Sequence, residues 1–106
     1  MTVGQICEEL SLTAHNIEEE RAVTGVFCCD LLSVAMAKAP EDSAWVTVIG
    51  NANTVAVATL TDVACIVLAE GFSFDAAAIT AAKGRIALLK SDKPIYETAV
   101  SIGALL

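Results

Sequence analysis

Positive charge is scarce in this chain: six Lys and Arg stand against 13 Asp and Glu, for a formal charge of −7. Recognition of DNA or RNA through a basic face needs clustered cations on the phosphates, so that class is excluded. Membrane-spanning runs are also missing. The longest stretch without a charge, residues 43–61, is 19 residues long, but it holds Ser43, Gly50, Asn51, Asn53 and four threonines. A spanning helix needs about 20 predominantly apolar residues. The start carries Glu8 and Glu9 with no basic leader, unlike a signal peptide, and the expected location is the cytoplasm.

Metal-ligand spacing is lacking as well. Cys7, Cys28, Cys29 and Cys65 form no C-x-x-C pair, and His15 is the sole histidine. Structural zinc and iron–sulfur sites usually show ligands two to four residues apart, so the cysteines read as reduced, mostly buried small apolar residues and no metal or cofactor is expected. Cys28 and Cys29, as neighbours on a strand, would face opposite ways. No phosphate loop, dinucleotide fingerprint or nucleophile elbow occurs. His15 sits in a polar segment with no assigned nucleophile, and reads as exposed and idle.

What is present is hydrophobic: 56% of 106 residues, with 18% charged. That excludes disorder and suits a single domain over residues 1–106. The apolar pattern alternates in kind. Val3, Ile6, Cys7 and Leu10 mark one helical face, opened by the capping-box pair Thr2 and Gln5. Residues 12–20 are polar and read as a short edge strand and a turn, with Glu18–Glu20 a solvated edge. Strands are expected at 22–28, 45–49, 63–68 and 85–89. Helices are expected at 31–38 behind an Asp30 cap, at 54–60 behind an Asn53 cap, at 75–83, and from Pro94 onward with Ile95, Ala99, Ile102 and Leu106 inward. The helix at 54–60 is contested by β-branched Thr54, Val55, Val57 and Thr59. This alternation predicts a three-layer α/β/α domain with a largely parallel sheet of four or five strands.

Ligands of open α/β sheets collect at the carboxyl ends of the strands. Those ends carry Cys29-Asp30, Gly50-Asn51-Ala52-Asn53, Glu70-Gly71 and Lys90-Ser91. Asp30, Ser33, Asn51 and Asn53, with Glu70 and Gly71, are the candidate ligand-binding residues for a small polar or nucleotide-like molecule. Against this, Asp30 and Asn53 serve equally as ordinary helix caps, and Gly50-Asn51 as an ordinary turn. Lys83, Arg85, Lys90 and Lys93 fall within eleven positions. They read as a solvated patch, with an anion or Glu18–Glu20 of a second copy as the alternatives. A homodimer is expected, burying about 1,200 Å² or more in total through helical apolar residues, notably of 75–83 and 95–106; the alternative is that these residues all serve the monomer core.

The runs VTGVFCCDLLSVAM (23–36), WVTVIGNANTVAVA (45–58) and VACIVLAEG (63–71) resemble the small DRTGG-domain proteins. The likeness covers nearly the whole chain, most specifically Gly25 through Ser33 and residues 53–58. The family is similar to the N-terminal, non-kinase domain of HPr kinase/phosphorylase, and to a domain of long phosphotransacetylases and of some CBS-domain proteins. The residues of the family name are replaced here, by Asn51 and Asn53 after the Trp45 strand and by Ala69-Glu70-Gly71 after the next. The resemblance implies an α/β/α module like that of HPr kinase and the MurF-type ligases, in a regulatory role and without catalytic residues. A non-catalytic regulatory or ligand-binding homo-oligomer is therefore expected. The alternative is an accessory protein docking on a metabolic or redox enzyme; a kinase acting on HPr is disfavoured by the missing phosphate loop.

Overall fold

The computed structural model describes residues 1–17 and 20–106; Glu18 and Glu19, assigned above to a solvated edge, lie outside the described residues. The elements run α1 (Val3–Glu9), β1 (Thr13–Asn16), β2 (Gly25–Cys28), α2 (Leu32–Lys38), β3 (Ser43–Thr47), α3 (Ala52–Thr61), β4 (Cys65–Leu68), α4 (Ala76–Ala82), β5 (Ala87–Lys90) and α5 (Ile95–Gly103). The sheet order is β1-β5-β4-β3-β2. β2 through β5 are parallel to their neighbours, and β1 lies antiparallel on β5 with Thr13 opposite Lys90.

Because β2 to β5 are neighbours in chain order, right-handed crossovers send their helices to one face. Trp45, Ile66, Leu68 and Leu88 pack there against Ala35 of α2, Val55 and Ala58 of α3, and Ala78 and Ala82 of α4. The alternate strand residues Val46, Cys65, Val67 and Leu89 face α1 and α5, against Val3, Ile6 and Ile102. Strand side chains alternate, so one continuous apolar run such as 65–68 supplies two separate cores. Trp45 is fully buried, and its indole Nε1 donates to Cys29 O at 2.9 Å.

The capping box forms as the sequence indicates: Thr2 Oγ1 accepts from Gln5 N and Gln5 Oε1 from Thr2 N. Other local expectations are corrected. Asp30 does not cap α2; Leu31 occupies that position without a side-chain cap. Asn51, not Asn53, caps α3, its Oδ1 accepting from Thr54 N at 2.9 Å. The helix therefore starts at Ala52 and runs to Thr61, and Asn53 lies exposed in its first turn. The β-branched residues are tolerated because Thr54, Val55 and Val57 are buried and Thr59 donates to Val55 O. Cys28, expected inside, is exposed, since it ends the edge strand β2. The segments 75–83 and 95–106, the expected sources of interface residues, lie on opposite faces of the sheet.

Candidate functional site

At the carboxyl rim, β4 leads into α4 on one face and β5 into α5 on the other. Ligands of α/β sheets collect beyond the carboxyl ends of the strands, and the helices that follow β4 and β5 leave this rim on opposite faces. Two loops are knitted together across it. Ser91 N donates to Leu68 O, Glu70 N to Lys93 O and Gly71 N to Ser91 O, at 2.8 to 3.1 Å. Residues 69–72 form a tight turn whose central pair, Glu70 and Gly71, both have positive φ (61° and 72°). Glycine adopts this freely; Glu70 does so at a cost. Its carboxylate is anchored in return, with Oε2 accepting from Ile95 N of α5 at 2.9 Å.

Beside this junction, on the α5 side, lies a cleft of about 180 Å³. Its walls are residues 10–13 from the α1–β1 turn, residues 90–93 after β5, and Thr98 and Ser101 of α5. The antiparallel placement of β1 creates it, by bringing the start of that strand to the end of β5. Its lining includes Ser11, Thr13, Ser91, Thr98, Ser101, Lys90 and Lys93, with Asp92 the single acid; the Thr98 hydroxyl is spent on Lys93 O and the Ser91 hydroxyl on Thr98 Oγ1. Ser91 Oγ and Thr98 Oγ1 share a buried hydrogen bond of 2.8 Å, and Lys93 N donates to Ser91 Oγ. Lys90 Nζ donates to Ser73 Oγ at 3.0 Å, tying β5 to the loop before α4.

The candidate residues divide along the rim. Glu70 and Gly71 abut the cleft through the loop bonds above. Asp30 lies at the end of β2, where its Oδ1 accepts from Thr47 Oγ1 and Val48 N at 2.8 and 3.0 Å. That bond holds the β2 and β3 ends together. Asn51 is committed to Thr54 N and Thr54 Oγ1. Ser33 and Asn53 are exposed in the first turns of α2 and α3. No hydrogen bond joins Asp30, Ser33, Asn51 and Asn53 to one another among the described residues. The four bases separate too: Lys90 and Lys93 line the cleft, whereas Arg85 lines a groove between α3 and α4. Sequence reasoning missed residues 10–13, Thr98 and Ser101, because no local motif marks them; their only signal is hydroxyls three apart on α5.

The remaining chemistry-bearing groups are occupied structurally. The exposed ring of His15 meets Phe74 edge-on, 6.1 Å between centroids. Burial pushes the Cys65 thiol up to about 12. The Cys7 thiol is raised by burial, and that of Cys28 by burial and by Asp30, which keeps them protonated. No helix among the described residues is long and apolar enough to cross a membrane.

No family model and no curated protein matches this chain. Among solved structures, it is similar to the CBS and DRTGG domains of the regulatory region of a Clostridium perfringens pyrophosphatase, solved with its activator diadenosine tetraphosphate. The TM-score is 0.78 at 19% identity, over 95% of this chain and 45% of that one, so this chain spans less than half of that structure's length. At that identity the likeness is one of fold, and the conclusion is that this chain is a three-layer α/β/α domain with a DRTGG-like architecture.

Proposed function

We propose that the chain is a non-catalytic regulatory module that binds a small polar ligand bearing a phosphate or comparable anion, and acts as a homo-oligomer. The cleft at the end of β5 carries this reading: Ser11, Thr13, Ser101 and Lys93 stand on its walls, at the carboxyl rim where ligands of α/β sheets collect. Its size, about 180 Å³, is below the roughly 300 Å³ at which drug-sized pockets begin, so it accommodates a compact anionic group rather than a whole dinucleotide. The regulatory, nucleotide-activated neighbour of the same fold supports the role. Glu70 and Gly71 would brace one wall, and Asp30, Ser33, Asn51 and Asn53 form a second polar stretch of the rim for the outer parts of a larger ligand.

Amide chemical shifts during titration with inorganic phosphate, ATP and diadenosine tetraphosphate test this. The expected changes fall on residues 10–13 and 90–101 and weaken several-fold in Lys93→Ala. Unmoved amides at about 10 mM of every probe, an affinity too weak to regulate with, would sink the reading. The second reading, an accessory protein docking on a metabolic or redox enzyme, is favoured by the exposed Phe72 and Tyr96. Pull-down of a stoichiometric enzyme partner, lost on Tyr96→Ala, distinguishes it.

A further inference from the structure

Glu70 holds a left-handed backbone, at φ 61°, which residues other than glycine rarely adopt. Its side chain is nevertheless engaged: Oε2 accepts from Ile95 N at 2.9 Å, from a residue 25 positions further along the chain. Ile95 opens α5, and its N–H is one of the helix-start donors that have no partner inside the helix. Pro94 before it has no side-chain acceptor, and Glu97, the acid of the first turn, makes no cap. By contrast α1, α3 and α4 are capped by Thr2, Asn51 and Asp75, each bonding an N–H three residues on. α5 takes its carboxylate from a neighbouring loop instead, and negative charge at that end suits the helix dipole.

The same turn grips the other wall of the cleft. Glu70 N donates to Lys93 O at 2.9 Å, and Gly71 N to Ser91 O at 3.1 Å. Lys93 O accepts in addition from Thr98 Oγ1 at 3.2 Å, and Thr98 Oγ1 meets Ser91 Oγ at 2.8 Å. Backbone and side chain of one residue thus fasten both the strand end 91–93 and the start of α5. Thr98 follows Ile95 by about one helical turn, with Ser101 further along the same wall, so the point at which α5 starts sets where that wall stands.

We propose that Glu70 is a positioning residue for the cleft. It does not touch the ligand; its carboxylate holds the start of α5 in the place, relative to residues 91–93, from which the two walls meet an anion together. Strained backbone persists where the surrounding structure over-determines it, and the part of Glu70 that a glycine would lack is the part in use. The inference rests on the anion-binding reading proposed above.

Glu70→Ala and Glu70→Gln test this against each other. Both remove the same negative charge and keep a Cβ on the same left-handed backbone, but only Gln retains an oxygen that can accept from Ile95 N. Their difference therefore reports the bond and not the charge or the strain. Without ligand, the Ile95 amide is expected to exchange with solvent about fivefold faster in Glu70→Ala than in Glu70→Gln, the scale of one net hydrogen bond. The amide of Ile102, buried in the middle of the core, is expected to exchange alike in both, which shows that the fold is intact. Titration with inorganic phosphate is expected to give a dissociation constant about fivefold higher in Glu70→Ala than in Glu70→Gln, by the same scale, with Glu70→Gln at least as tight as wild type. Equal exchange at Ile95 in the two variants overturns the proposal. So does faster exchange with equal phosphate affinity, which makes the bond a cap and nothing more. A wild type whose amides ignore phosphate defeats the binding reading, and the positioning role with it, whereas wild-type binding with equal affinities in the two variants defeats the positioning role alone.

Discussion

Cys65 is fully buried beneath α1 and α5, and burial outweighs the opposing pull of the Arg21 charge, holding its thiol at about 12 against an ordinary 9.0. The folded state therefore keeps a proton that the unfolded chain releases above pH 9. Stability from this group is fully present below pH 9 and declines from there to about pH 12, by at most about 1.4 kcal/mol per pH unit. Urea titrations at pH 8, 9 and 10 are expected to show this decline, and Cys65→Ala to flatten it while starting from a lower stability. An equal decline in both proteins would assign the effect elsewhere. Gly50 shows a different constraint. A Cβ there would sit 2.9 Å from Ser73 O and from Leu68 Cδ2, and Gly50 O accepts from Asp75 N. The glycine lets β3 end against the loop that leads into α4. In the sequence it looked like simple turn punctuation, since the loop that crowds it comes more than twenty residues later.

Among the elements, α3 separates composition from context. Its β-branched residues favour extended backbone in isolation, yet Asn51 opens the helix and burial of Val55 and Ala58 retains it. Asn51→Ala is expected to cost about 1 kcal/mol, the usual worth of an N-cap. Asn53→Ala, at an exposed helical position, is expected to change stability by less than about 0.5 kcal/mol. Thermal or urea unfolding of the two variants decides the cap directly, and the reverse ranking would restore Asn53. The helix layers were legible because their apolar faces repeat every three to four residues. The caps were legible only to within two residues, since Asn51 and Asn53 offer the same chemistry and the local chain has no means of choosing between them.

For the molecule as a whole, Arg21 clasps the amino-terminal ends of the strands. Its guanidinium donates to Asp42 Oδ1 at 2.6 and 3.0 Å, to Asp62 O at 2.7 Å and to Val63 O at 3.2 Å, and it pairs with Asp62 Oδ1 at 3.0 Å. Burial alone would lower its pKa, but the two aspartates more than compensate. Asp42 and Asp62 are themselves held at positive φ, so one cation satisfies two strained turns. Both acids are well exposed, which discounts the ionic part. The bonds to backbone carbonyls remain, and Arg21→Ala is expected to cost about 1–2 kcal/mol. Arg21→Lys, which keeps the charge but loses the fork, is expected to recover less than half of it. Recovery of the full stability in Arg21→Lys would reduce the clasp to simple charge.

The order of elements, the two-sided burial of the sheet and the first helix with its capping box were determined by the sequence alone. They depend on periodicity, strand alternation and side chains within three residues, all of which are local. Only the tertiary structure decided that β1 pairs antiparallel with β5, that the first-turn and last-helix hydroxyls line one cleft with Lys93, and that Arg21 reaches across 41 residues to Asp62. The candidate site was half legible for the same reason. Glu70, Gly71 and the Lys90-Ser91 strand end follow from where strands stop, whereas residues 10–13, Thr98 and Ser101 join them through sheet register and helix docking, which are properties of packing between distant segments.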